Sequence, residues 1–252
     1  MRRLAAWGAG WLLVVLLPGS SRAQDAGLVF PRLEFGVSGA EGPADVAVTL
    51  QIVALLTVLS LAPAILVMLT SFTRIVVVLS FVRSALALQQ MPPNQVIIGL
   101  ALFLTFFTMA PTWQAVWDQG LAPYFAGELA QEEALERIAA PLREFMLHHT
   151  RERDLELFVE LSGTPRPQTE ADVATYVLIP AFVISELRTA FQLGFVLFIP
   201  FLVIDMIVAS SLMSMGMLML PPVMISLPFK VLLFVMVDGW HLVTRSLLVS
   251  FQ

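Results

Sequence analysis

The sequence predicts an all-α integral membrane protein built from kinked helical hairpins. Three observations predict it. The 252 residues are 58% hydrophobic and only 13% charged, whereas soluble domains carry about 45–50% apolar and about 25% charged residues. The mean hydropathy is +0.85, and the apolar residues fall into charge-free runs long enough to cross about 30 Å of hydrocarbon. Prolines punctuate those runs, which predicts bent rather than straight helices. With no cysteine, disulfides, thiolate metal sites and cysteine nucleophiles are excluded. The net charge of −5 argues against nucleic acid as a partner.

The chain opens as an address. Arg2 and Arg3 precede a short apolar core, Leu4 to Leu17, broken by Pro18, Gly19 and Ser20. Ser21 and Ala23 place small residues at −3 and −1, so residues 1–23 read as a secretory signal peptide cleaved after Ala23. A retained N-terminal anchor is the alternative, for which the core is short. Residues 24–45 read as an exported lead-in without a core of its own.

Val46 to Thr73 carries no charge and contains Pro63, which predicts a kinked span. Arg74 and Arg83 follow. Ser84 to Trp117 is again free of charge, interrupted by Met91, Pro92, Pro93 and Asn94. That predicts a turn near residues 89–94 and a second span over 95–116, so residues 46–117 form a first apolar hairpin. Asp118 to Asp172 holds twelve acidic residues against five arginines. Its amphipathic stretch from Glu128 to Leu161 predicts one or two surface helices, and residues 162–167 a loop. The apolar text then resumes as a second hairpin, residues 173–252, with helices over 174–213 and 223–250 joined through Met215 to Pro222. Pro180 and Pro200 predict kinks or breaks in the first of these. If cleavage leaves the start outside, two spans return the acidic segment 118–172 to the outside and two more leave Gln252 there. Arg74 and Arg83 then sit near the inner side, as the positive-inside rule prefers.

Six ionisable residues interrupt the second hairpin: Glu186, Arg188, Asp205, Lys230, Asp238 and Arg245. A charge at bilayer depth costs at least about 2.5–3.5 kcal/mol, so these residues call for partners, a wet lumen or a place outside the hydrocarbon. Asp205 and Lys230 lie 14 and 11 residues from Met219, which brings them to comparable heights on antiparallel helices. They predict a salt bridge across the hairpin or to the next copy; separate water or backbone partners are the alternative. Glu186 and Arg188, two apart, point to different faces. Glu186 is therefore available to an arginine elsewhere, Arg74 and Arg83 being candidates, or is solvated at the end of the span.

Met213, Met215, Met217 and Met219 alternate with Ser214, Gly216 and Leu218. A spacing of two makes no single helical stripe, and Gly216, Pro221 and Pro222 point to a loop. Methionine is flexible and polarisable. Copies of such a loop around an axis would form a deformable apolar collar; gap-filling between helices is the plainer reading. No catalytic constellation stands out. Glu144 and His148 have the i,i+4 spacing of metal ligands, but a solvated face explains them better. No HExxH, phosphate-binding loop or Gly-x-Ser-x-Gly occurs, so no enzyme, metal or cofactor is expected.

Residues 180–195 (PAFVISELRTAFQLGF) and 200–210 (PFLVIDMIVAS) resemble the two signatures of the FliP family, whose injectisome branch is known as SctR. Residues 221–230 (PPVMISLPFK) through 237–240 (VDGW) are similar to the family's C-terminal hairpin, and residues 70–75 (TSFTRI) and 89–95 (QQMPPNQ) fit its first half. The resemblance implies kinked hairpins that assemble with sister subunits into a ring, a pentamer. It implies FliQ and FliR as partners in the flagellar type III export gate, FlhA and FlhB beside it, FliO as assembly factor, and unfolded flagellar proteins as cargo. It also implies a collar at Gly216, Met217, Leu218 and Met219, with Met213 and Met215 beside it, and Leu218 standing where relatives often carry Met. Asp205 and Lys230 correspond to a charge pair, and Glu186, with Arg188 and Arg74, to a subunit contact. The place implied is the inner membrane, in the flagellar basal body. Injectisome relatives share the core but usually lack a cleaved signal, so residues 1–45 favour the flagellar branch. A small secondary transporter or channel is a rival reading; it would bring an internal repeat, and none is visible. A purely structural assembly protein is another.

Overall fold

The computed structural model describes residues 43–88, 90–163, 166–217 and 219–251. The signal peptide and most of the lead-in expected above lie outside the described residues, as does Leu218. Contacts divide the chain into two units, Met1–Gln51 and Ile52–Gln252. Of the first, only residues 43–51 are described, and they are helical. The described residues form helices and no strand: α1 (Pro43–Leu69), α2 (Phe72–Ala85), α3 (Asn94–Thr108), α4 (Ala110–Val116), α5 (Ala122–Phe125), α6 (Gln131–His149), α7 (Glu152–Ser162), α8 (Thr175–Ser214), α9 (Pro222–Met236) and α10 (Gly239–Val249). A π-turn, Trp117–Leu121, joins α4 to α5, and a 3-10 turn, Glu170–Asp172, precedes α8.

The second unit is built around α2, which packs on α8 and α3. The sequence placed Arg74 and Arg83 near the inner side of the first hairpin; they lie on α2, a helix with one buried side. It buries Arg74, Ile75, Val78, Leu79, Val82 and Ala85 on one side, at the i, i+1, i+4 intervals of a helical face. Ala101 and Leu104 of α3, Ala190 and Phe201 of α8, Phe234 of α9 and Val243 and Leu247 of α10 close over that face. The turn after α2 lies where the Pro92-Pro93 break predicts it. There Arg83 Nη1 donates to Asn94 Oδ1 at 2.5 Å.

Two later helices run on where a stop or a break was expected. Pro63, expected to kink the first span, lies inside α1, which continues to Leu69. From Ile52 to Met68 its described side chains are all exposed except half-buried Ala62. The second span does not stop at 116: after a 59° bend at Met109 the helix runs on through the π-turn to Phe125, carrying Asp118 with it. Pro180 and Pro200 do not break α8, a single helix of 40 residues. At about 1.5 Å per residue it is twice as long as the hydrocarbon layer is thick. A proline removes one backbone donor, which an apolar helix tolerates by local adjustment.

The first half of α8 is covered by the acidic segment. Met146 of α6 and Val177, Leu178 and Phe182 of α8 form a second core, with Leu155 and Phe158 of α7 against it. Polar ties fix the arrangement: Arg143 Nη2 donates to the Val173 carbonyl at 2.6 Å, and Arg151 Nη2 to Gln192 Oε1 at 2.6 Å. By length and composition α8 alone is long and apolar enough to cross a membrane among the described residues. The spans number up to three if α3 with α4–α5, and α9 with α10, each count as one bent span. The latter pair bends by 65°. Gly239 makes that bend possible, because a Cβ there would lie 2.2 Å from the Phe234 ring.

Candidate functional site

The α8–α9 hairpin carries two adjoining features, a methionine-rich tip and a charge pair beneath it. The tip begins where α8 ends. Gly216 adopts φ 75°, a conformation glycine enters without steric cost. Met217 N–H then bonds the Leu212 carbonyl at 3.0 Å, and Gly216 N–H the Met213 carbonyl at 3.1 Å. This is a Schellman closure, and it satisfies two of the last carbonyls of α8. The chain beyond it leaves the helix axis, and Pro221 and Pro222 start α9. Met213, Met215, Met217 and Met219 are all exposed, Met219 at 98%. Gap-filling within the chain does not account for them, since they pack into no interior of their own.

Asp205 and Lys230 face each other across the hairpin. Lys230 Nζ donates to Asp205 Oδ2 at 2.6 Å. The lysine side chain is 2% exposed and the aspartate 29%, so the cation is withdrawn from solvent and the carboxylate keeps one open edge. Ser226, one turn before Lys230 and fully buried, donates to the other oxygen, Oδ1, at 2.5 Å. Sequence reasoning missed Ser226, although its i,i+4 spacing to Lys230 puts both on one face of α9.

A second charged cluster lies in the core. Arg74 Nε donates to Glu186 Oε2 at 2.8 Å and its Nη2 to Oε1, a two-point pairing of guanidinium and carboxylate. Arg74 Nη1 reaches the Ser250 carbonyl at 2.7 Å, and its guanidinium lies 3.9 Å from the Phe251 ring centre. Of the three residues expected at a subunit contact, Glu186 and Arg74 therefore face inward, on each other. Arg188 is exposed. Ser250 and Phe251 gave no signal in the sequence, being short-range features of a long-range contact. Beside them, Ser185 Oγ donates to Asp154 Oδ2 at 2.8 Å and accepts from the Arg151 N–H at 3.1 Å.

His149 borders this cluster, its ring 4.4 Å from that of Phe145 and 5.5 Å from that of Phe251. Burial holds its pKa below the usual histidine value, and the nearby Arg74 and His148 charges add to the effect. Asp172, at the 3-10 turn, is held below the ordinary carboxylate range by hydrogen bonds from the Thr169 hydroxyl and backbone N–H. Glu144 and His148 gather no third ligand: no group of three His, Asp or Glu able to hold a metal occurs among the described residues.

The arrangement sets two buried serine hydroxyls, Ser185 and Ser226, against carboxylates. It offers an exposed, pliable apolar tip on a hairpin whose two helices are clamped by buried charge. Residues 55–247 match the FliP family model. The chain is 57% identical over 209 residues to the flagellar biosynthetic protein FliP of Bacillus subtilis, covering 83% of this chain and 95% of that one. It is 56% identical over 202 residues to the protein of the same name from Caulobacter vibrioides, 80% and 76% of the two chains. It is 50% identical over 229 residues to that of Borreliella burgdorferi, 90% and 89%.

Proposed function

The chain belongs to the FliP family, and from that premise we propose that it is a membrane-embedded subunit of the flagellar protein-export gate, lining the path of unfolded flagellar proteins. It is a flagellar biosynthetic protein, a structural component of the export apparatus rather than an enzyme. The observation that carries the conduit reading is the exposed methionine tip held above the Asp205–Lys230 clamp. Four or more flexible thioethers exposed to nothing are costly on a single chain. Brought together on several copies, they form a collar that excludes water and ions at rest and parts around a passing chain.

The ring is a pentamer of this chain, joined by FliQ and FliR, with FlhA and FlhB beside it and FliO assisting its assembly. It sits in the bacterial inner membrane at the flagellar basal body, with the signal peptide removed and the acidic segment 118–172 on the periplasmic side. Exposed apolar faces such as that of α1 favour a subunit that is finished only by neighbours. Met213, Met215, Met217, Leu218 and Met219 form the collar, and Arg188 is the outward-facing candidate for subunit contact. A photocrosslinker at position 217 or 219, in cells holding a stalled export substrate, tests the conduit. Crosslinks to the substrate are expected; their absence from an intact complex would leave a scaffold without a conduit role.

A further inference from the structure

Asp205 is held at two points. Its Oδ2 accepts from Lys230 and its Oδ1 from Ser226, donors one helical turn apart on α9. A carboxylate gripped by a single lysine is free to swivel about the contact. Gripped at both oxygens by donors stacked along a helix, it fixes both the rotation and the register of α9 against α8. The methionine tip is the chain between those two anchor points, so its position follows from that register.

The serine hydroxyl has a second acceptor within reach. Ser226 Oγ is 2.5 Å from Asp205 Oδ1 and 3.1 Å from the Val223 carbonyl of its own helix. A hydroxyl carries one proton, and Ser226 is fully buried, so water offers it no substitute partner. Donated to Val223, the proton leaves the ion pair intact but frees one oxygen of Asp205. A buried donor without an acceptor would be costly; the carbonyl removes that cost, so the move forfeits only the extra strength of a charge-assisted hydrogen bond over a neutral one.

We propose that Ser226 is a positioning residue for the gate: its hydroxyl locks Asp205 and the methionine tip in the closed register, and transfer of that hydrogen bond to the Val223 carbonyl releases α9 to turn while the Asp205–Lys230 pair holds. The proposal rests on the conduit reading given above. It assigns to an uncharged side chain the step between a tight and a yielding tip.

The test uses the full chain in its assembled complex, in cell membranes. Ser226→Ala, Ser226→Thr and Ser226→Val are compared for complex yield and for resting ion conductance. Ser226→Ala is expected to assemble at the normal level and to leak about tenfold more, the shift that follows from losing one hydrogen bond to a charged group. Ser226→Thr, which keeps the donor, restores tightness, and Ser226→Val, matched to it in shape, leaks. Unchanged conductance in Ser226→Ala, or equal leak in the Thr and Val variants, overturns the assignment. Met217→Ala with Met219→Ala, measured alongside, separates the two failures. If that variant leaks while Ser226→Ala is tight, the Ser226 role alone is wrong; if both are tight, the conduit reading beneath it is wrong as well.

Discussion

Arg74 and Glu186, 112 residues apart in the chain, meet in the core of the second unit with almost no solvent access, at 4% and 0% side-chain exposure. The pair joins α2 to α8, and through Ser250 and Phe251 it also holds the end of the chain. Its partners are so complete that either half alone is a liability.

Removing one half leaves the other charged and buried. Arg74→Ala or Glu186→Gln is expected to cost about 3–5 kcal/mol, the usual loss for a broken buried pair. Replacing both by Met and Leu is expected to cost less than either single change, since no uncompensated charge remains. Thermal unfolding of the detergent-purified protein measures all three.

The clamp between α8 and α9 is expected to depend on complementarity rather than on which helix carries which sign. Asp205→Lys or Lys230→Asp alone buries two like charges and abolishes motility. The double exchange should recover part of it, scored as swarm diameter at matched expression. A double variant no better than the singles would mean that these side chains do not act as a pair.

Shortening the tip tests the collar. Met217→Ala with Met219→Ala deletes the thioethers but leaves the Schellman closure at Gly216, which depends on backbone bonds. Ion leak is expected to rise more than assembly falls, read from membrane conductance and from the yield of purified complex. Conductance at the level of the unaltered protein would remove the collar.

His149 gives the fold a pH dependence of defined sign. Its pKa is lowered from 6.5 by burial, so the unfolded chain takes up a proton at a higher pH than the folded one. The stability it contributes is present above about pH 6.5 and is lost as pH falls through the lower, folded value. The melting temperature is expected to drop between pH 7 and pH 5, and His149→Phe to flatten that drop. An equal slope in both proteins would place the titrating group elsewhere.

The helical plan was legible because charge-free runs and amphipathic runs differ in period and composition. Glu128 to Leu161 announced α6 and α7, and the runs on either side announced the apolar helices. Comparable offsets from a turn were enough to bring Asp205 opposite Lys230. What stayed hidden was non-local. Arg74 was one of two arginines offered as a partner for Glu186, but a contact across 112 residues gave no ground for choosing it over Arg83 or over solvation, nor for running α2 through the core. The cover on α8 was equally hidden: lipid and protein select the same apolar residues, so Val177, Leu178 and Phe182 do not announce that α6 and α7, rather than acyl chains, lie against them. Pro180 and Pro200 mark no break: each lacks a backbone donor, yet α8 is one helix from Thr175 to Ser214.

That continuity makes α8 a link between two parts of the chain. Its first half is gripped by Arg151 through Ser185 and Gln192, and its far end leads into the thioether tip. Between them lies one continuous helix that carries Pro200. A change in how α7 seats on α8 therefore acts on the same helix that carries the first methionines of the tip, tens of ångströms further along.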